Sequence, residues 1–122
     1  MRNLIIGMAM ILTVSGTAYA SGVELVNSMS FKITIVENGI EHEWEYHNPD
    51  EYEYEKDRHV FKGNTVKKDV HHMFELLDVS EKADVNQMVS RLKKNGYENM
   101  ERLDVRWINE KNELYTWVWQ GE

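Results

Sequence analysis

Alternating glutamates in the first half of the chain are the residues that could carry chemistry. They are Glu41, Glu43, Glu45, Glu51, Glu53 and Glu55. Alternate residues of a β-strand share one face at a spacing of about 7 Å, so each run of three lines a strand face. If the two runs form neighbouring strands, all six carboxylates meet on one face. Together with Tyr52 and Tyr54, which are interleaved with the second run, they form the predicted binding surface.

Four interpretations of this acidic surface are open. It could be a solvated face whose charge is partly offset by Lys32, Lys56 and Arg58. It could attract a basic partner in a salt-sensitive encounter. It could collect calcium weakly, because no Asp-x-Asp-x-Asp-Gly loop is present to form a tighter site. Finally, carboxylates near Glu43 and Glu45 could hydrolyse an envelope polymer, although an exposed strand in a small domain is a poor glycosidase site.

Other catalytic classes lack their characteristic residues. The chain has no cysteine and no Gly-x-Ser-x-Gly motif, and its seven glycines are scattered. Nucleophilic catalysis and phosphate binding by a Gly-rich loop are therefore not expected. Adjacent His71 and His72 point about 100° apart on a helix, and no His-Glu-x-x-His is present, so no transition-metal site is expected. We predict a protein that is not an enzyme and needs no cofactor.

The N-terminal residues have the pattern of an export signal. Arg2 supplies a positive end, Leu4 to Val14 is almost wholly apolar, and Ala18-Tyr19-Ala20 fits a small-x-small cleavage site. The apolar run is shorter than the roughly 20 residues that span a bilayer. An uncleaved anchor and a buried first strand are the alternatives. Cleavage after Ala20 predicts a secreted or cell-envelope protein with a lead-in over 21–30 and one domain over 31–122.

Acidic residues outnumber basic ones by 21 to 14, which gives a formal net charge of −7. A protein with this charge is repelled by nucleic acid and by anionic lipid. The predicted partner is therefore a basic protein or a cell-envelope component. Contact with a membrane is expected only if the signal is kept.

Asn38-Gly39, between two alternating runs, is a strong signal for a β-hairpin. With these two residues as the loop, one face of the hairpin collects six side chains: Phe31 opposite Tyr46, Ile33 opposite Trp44, and Ile35 opposite His42. The other face pairs Lys32 with Glu45, Thr34 with Glu43, and Val36 with Glu41. The turn and the apolar pattern thus predict the same register.

A second hairpin is predicted between Leu103 and Trp119, which contains three of the four tryptophans. A two-residue loop would set Trp107 opposite Leu114. We favour the loop Glu110-Lys111-Asn112, which sets Leu103, Val105 and Trp107 opposite Trp119, Trp117 and Tyr115, because Asn tolerates the left-handed conformation at its last position. We expect these rings to lie beneath helices. An exposed aromatic row that stacks on a ligand such as a sugar is the alternative.

Two amphipathic helices are predicted between the hairpins. Asn64 or Thr65 can cap the first, and Asp84 with Gln87 can form a capping box for the second, which Gly96 ends. Their apolar stripes are Val66, Val70, Met73, Phe74 and Leu77, and then Val85, Met88, Val89 and Leu92.

With a possible third strand over Glu51–Glu55, bending towards Val60 and Phe61, the predicted class is α+β: an antiparallel sheet of four to five strands with two helices on one face.

The order of these elements resembles the YusW-like family of small exported proteins. The resemblance covers roughly Phe31 to Trp119 and includes the export signal, the acidic-aromatic stretch Tyr52-Glu-Tyr-Glu-Lys56, and a second helix entered through Asp84. The chain departs from the family where Asn109–Asn112 replaces an Asp-Gly type of turn, and it lacks a lipid-attachment cysteine. The resemblance implies the extracytoplasmic location and the fold. It implies no activity, because none is assigned to the family.

Overall fold

The computed structural model describes residues 22–121, and the predicted export signal over residues 1–20 lies outside them. The elements in chain order are a 3₁₀ helix (Leu25–Asn27), β1 (Ser30–Glu37), β2 (Ile40–His47), β3 (Glu51–Lys56), β4 (His59–Phe61), α1 (Asn64–Leu77), α2 (Val85–Lys94), β5 (Met100–Ile108) and β6 (Leu114–Gln120). The predicted α+β class is confirmed.

The strands form one antiparallel sheet in the order β4-β3-β2-β1-β5-β6. The prediction of four to five strands missed the short strand β4. Instead of bending onwards from β3, the chain reverses at Asp57, whose φ of 55° lies in the left-handed region that a tight turn needs. Tyr54 then pairs with Phe61, and Lys56 with His59.

Both hairpins have the predicted registers. In the first, Phe31 pairs with Tyr46 and the loop is Asn38-Gly39. In the second, Trp107 pairs with Tyr115 around the loop Glu110-Lys111-Asn112, and Asn112 has a φ of 67°. The N–H of Asn109 donates to the carbonyl of Glu113 at 3.0 Å and closes this loop. The two-residue alternative is therefore wrong.

The two hairpins join through β1 and β5, which pair antiparallel at the centre of the sheet. Ile33 lies opposite Val105, and both are completely buried. No local pattern in the sequence predicts this pairing, because 72 positions of chain separate the two residues. It places the acidic strands β2 and β3 on one side of the centre and β6 on the other.

Both helices cover the same face of the sheet. All five predicted residues of the α1 stripe are buried, and the Phe74 ring meets Phe31 edge-on at 5.1 Å between centroids. On α2, Met88, Val89 and Leu92 are buried, while Val85 is half-buried.

The predicted helix caps need correction. The N-cap of α1 is Gly63, rather than Asn64 or Thr65. Its φ of 118° is a conformation that suits glycine and not an L side chain. Asp84 occupies the N-cap position of α2, as predicted, but its side chain makes no capping hydrogen bond. The capping box is therefore not formed.

Residues before β1 contribute to the core, which the lead-in interpretation did not foresee. Leu25 and Ser28 are buried, and the indole Nε1 of Trp107 donates to the Ser28 hydroxyl at 2.8 Å. Asn48, in the turn after β2, donates from its side chain to the Ser28 carbonyl at 3.2 Å. These bonds fasten the segment across the end of the sheet.

The rings of the second hairpin face the helix layer, as expected. Trp107 is buried, while Tyr115, Trp117 and Trp119 on the edge strand β6 are half-buried. The Trp117 indole donates to the Ala83 carbonyl at 3.0 Å, and the ammonium of Lys93 lies 5.0 Å from the centre of the Trp119 ring. The loop between the helices and α2 thus cover these rings only in part.

Candidate functional site

The face of the sheet opposite the helices holds all six predicted glutamates. We call this set, Glu41, Glu43, Glu45, Glu51, Glu53 and Glu55, the acidic face. Since β2 and β3 are neighbours, Glu43 lies directly opposite Glu55, and Glu45 directly opposite Glu53. The alternation that buries Trp44 and Tyr46 against the helices turns these carboxylates the other way.

Tyr52 and Tyr54 do not join the acidic face. They point to the helix side, because they alternate with the glutamates along β3. Tyr52 is buried and its hydroxyl lies 3.0 Å from Nε2 of His71 on α1, while the half-buried Tyr54 hydroxyl lies 2.7 Å from Nδ1 of His42. The two tyrosines therefore form their hydrogen-bond contacts on the helix side of the sheet. The acidic face contains neither of them.

Burial shifts the pKa values of the groups in these two hydrogen-bonded pairs. It raises the pKa of the Tyr52 and Tyr54 hydroxyls, because it penalises the charged phenolate. It lowers the pKa of His71, with Lys67 adding to the effect, and it lowers the pKa of His42 with help from Lys56. Both pairs are therefore most stable with neutral rings.

Three carboxylates of the acidic face have cationic or imidazole neighbours. Lys32 on β1 lies 3.0 Å from Glu43, Nε2 of His47 lies 3.0 Å from Glu45, and Lys62 lies 3.4 Å from Glu53. The hydrogen bond from Lys32 to Glu43 raises the pKa of that lysine. This bond crosses from β1 to β2 and forms one boundary of the acidic face.

The other three carboxylates, on Glu41, Glu51 and Glu55, form no ion pair among residues 22–121. Glu55 also faces Glu43 directly across the strands. Like charges in directly opposite positions destabilise a sheet, because their Cβ atoms lie only about 5 Å apart. The acidic face therefore holds more negative charge than its neighbours compensate.

The charge changes sign across the sheet. On the same face, β5 presents Arg102 and Arg106 around Asp104, which lies 3.3 Å from Arg102. Next to β5, strand β6 has no charged side chain between Leu114 and Gln120. On this face of the described sheet, the carboxylates without a basic neighbour thus lie on β2 and β3.

A cavity of 430 Å³ adjoins the acidic face where β4 is too short to cover the first half of β3. Its walls are Glu45, His47, Asp50, Glu51, Tyr52, Glu53, Lys62, Gly63, Asn64 and Lys67. Lys67 on α1 lies 3.3 Å from Asp50. The sequence pattern did not indicate Lys62 or Lys67 as site residues. The pairing of β4 with β3 brings Lys62 to Glu53, and the packing of α1 beside β3 brings Lys67 to Asp50.

No three His, Asp or Glu side chains converge on a potential metal position within residues 22–121. Over the same range, none of the helices has the length and the apolar surface needed to cross a bilayer. Comparisons of the chain with protein-family models, with curated proteins and with solved structures found no match, and the resemblance to the YusW-like family stays a prediction.

Proposed function

We propose that this is an exported, non-enzymatic domain that binds a basic protein or a basic cell-envelope component through the acidic face. One observation carries the proposal: six carboxylates share two adjacent strands, and within residues 22–121 two of them pair with a lysine, one with a histidine and three with no basic group. A cationic partner would relieve the repulsion between Glu43 and Glu55. Electrostatic steering would also speed its association at low salt.

Glu43 and Glu45 support binding better than hydrolysis. Each already interacts with a neighbour, Lys32 or His47, and both lie on a sheet face that no further layer of the described chain covers. Acid–base catalysis by a carboxyl pair depends on a site that sets the two groups apart chemically and encloses the substrate. An open, charged sheet face instead suits an extended cationic surface.

The location outside the cytoplasm rests on the sequence. Arg2, the apolar run from Leu4 to Val14 and the Ala18-Tyr19-Ala20 site follow the order of a secretory signal. The absence of cysteine removes lipid attachment through cysteine and disulfide bonds from the proposal. Without disulfide bonds, stability then comes from the packing of the buried core and from its hydrogen bonds.

The test uses two charge-matched variants of the full chain. In the first, Glu41, Glu51 and Glu55 are changed to Gln, which removes charge from the acidic face without breaking an ion pair. In the second, the exposed Glu81, Glu98 and Glu110 are changed to Gln, which removes the same charge elsewhere. Each protein is immobilised and exposed to a lysine-rich peptide and to cell-envelope extract.

We expect the wild type and the second variant to retain the peptide and one or more envelope components at low salt and to release them at high salt. The first variant should retain much less of both. Equal retention by the two variants would show that net charge rather than the acidic face is responsible. If the wild type retains nothing even at low salt, the binding proposal is contradicted.

A further inference from the structure

Strand β6 is a sheet edge without the features that normally protect one. Between Leu114 and Gln120 it has neither a charged residue nor a proline, and Leu114 and Val118 are 51% and 58% exposed. Proteins usually guard long edges with lysine, proline, bulges or very short strands, because unpaired backbone groups recruit another strand. The opposite edge is guarded in this way, since β4 spans only His59–Phe61.

The hydrogen bonds at both ends of β6 show which backbone groups point outward. The N–H of Asn109 donates to the Glu113 carbonyl at 3.0 Å, and the N–H of Gly121 donates to the Glu101 carbonyl at 2.8 Å. Antiparallel pairs alternate between bonded and non-bonded positions, so the odd-numbered residues of β6 bond to β5. The outward groups therefore belong to Leu114, Thr116, Val118 and Gln120.

We propose that β6 pairs antiparallel with β6 of a second copy of this chain, about a two-fold axis at Trp117. In this register Leu114 lies opposite Gln120 of the second copy, and Thr116 opposite Val118. Every outward N–H and carbonyl from Leu114 to Gln120 then has a partner, which no register shifted along the edge achieves. The interface is closed and isologous, and the two sheets become one.

The side chains agree with this register. The non-bonded positions, where side chains of opposite strands come closest, would set Trp117 against Trp117 of the second copy and Tyr115 against Trp119. Aromatic cross-strand pairs of this kind stabilise antiparallel sheets. The same pairing would cover rings that α2 and its preceding loop leave half-exposed.

The net charge of −7 does not oppose this association, because the acidic strands lie far from the axis. From β2 of one copy to β2 of the other there are seven strand spacings of about 4.8 Å, or roughly 34 Å. Salt at 0.1 M screens charges beyond about 10 Å. The residues nearest the axis on the open face are uncharged, and the arginines of β5 lie beside Asp104.

Sedimentation velocity over a concentration series tests the proposal with the full chain and three variants. Thr116→Pro removes an outward N–H while leaving the β5 hydrogen bonds intact, as proline is tolerated on an edge whose N–H faces solvent. Thr116→Glu places a carboxylate opposite Arg106 within one copy but near the same carboxylate across the axis. Val60→Pro puts a proline on the opposite edge and is the matched control.

We expect the wild type and Val60→Pro to sediment as dimers at high concentration and to dissociate on dilution. Thr116→Pro should raise the dissociation constant about tenfold to a hundredfold, because two interchain hydrogen bonds are lost. Thr116→Glu should raise it about tenfold at low salt and less at high salt. Circular dichroism verifies that each variant is folded, and Thr116→Glu tests the edge independently of proline strain.

A wild type that stays monomeric throughout would overturn the proposal and would leave the edge to a strand of another protein. Association that neither Thr116 variant weakens would also overturn it, since another part of the chain would then be responsible. The same holds if Val60→Pro weakens association as much as Thr116→Pro does.

Discussion

The indole of Trp107 on β5 donates a hydrogen bond of 2.8 Å to the hydroxyl of Ser28, 79 residues earlier in the chain. Both residues are buried, and the Ser28 hydroxyl itself lies 3.4 Å from the Glu24 carbonyl. The bond ties the segment before β1 to the central part of the sheet.

Ser28→Ala should therefore lower the free energy of unfolding by about 1–3 kcal/mol, because it leaves a buried indole N–H without an acceptor. Urea denaturation followed by tryptophan fluorescence measures the change. Ser90→Ala, at an exposed position on α2, is the control and should have almost no effect. Equal stability of Ser28→Ala and the wild type would mean that water or another group replaces the hydroxyl.

Stability should depend on pH through His42 and His71. Burial lowers the pKa of both below the usual 6.5, so folding favours the neutral rings. The stabilisation is present above pH 6.5 and is lost as pH falls through the lower folded values. We therefore expect the free energy of unfolding to decrease as pH falls below about 6.5.

His71→Gln should flatten this pH dependence, whereas His72→Gln, at an exposed position on the same helix, should leave it unchanged. Urea denaturation at a series of pH values gives both profiles. An unaltered profile in His71→Gln would assign the effect to other groups.

The left-handed conformation of Asn112, with φ 67°, makes the second hairpin loop sensitive to substitution. Asn112→Ala should lower the free energy of unfolding by about 1 kcal/mol, because a side chain with a Cβ and no local hydrogen bond is strained there. Asn112→Gly should be at least as stable as the wild type. Thermal denaturation of both variants distinguishes backbone strain from removal of the amide group. An equal decrease in stability in both variants would mean that the missing amide, and not strain, is the cause.

Repulsion between Glu43 and Glu55 should be measurable as stability. Glu55→Gln should raise the free energy of unfolding by about 0.2–1 kcal/mol at low salt, because the two residues lie directly opposite each other. The gain should shrink in high salt as screening increases. Glu81→Gln serves as the charge control, and a salt-independent gain in Glu55→Gln would rule out repulsion as its cause.

Several features of this protein were predictable from the sequence because their causes are local. Asn38-Gly39 and the three residues ending at Asn112 fix turn lengths, and a turn length together with alternating apolar residues leaves one register for each hairpin. The helix stripes follow from apolar spacing in the same way. The six glutamates share a face because the strand period is two. The same period places Tyr52 and Tyr54 on the opposite face, so their inclusion in the predicted surface was wrong.

Only the tertiary structure decided how these pieces meet. The pairing of β1 with β5, the bond between Ser28 and Trp107, and the cavity beside Lys67 each join parts of the chain that are far apart in sequence. Such contacts form where whole apolar faces bury each other, and no short pattern specifies the partner face. Local geometry thus determined the two hairpins and the acidic strands, while burial of the common core determined their order and left β6 at the edge.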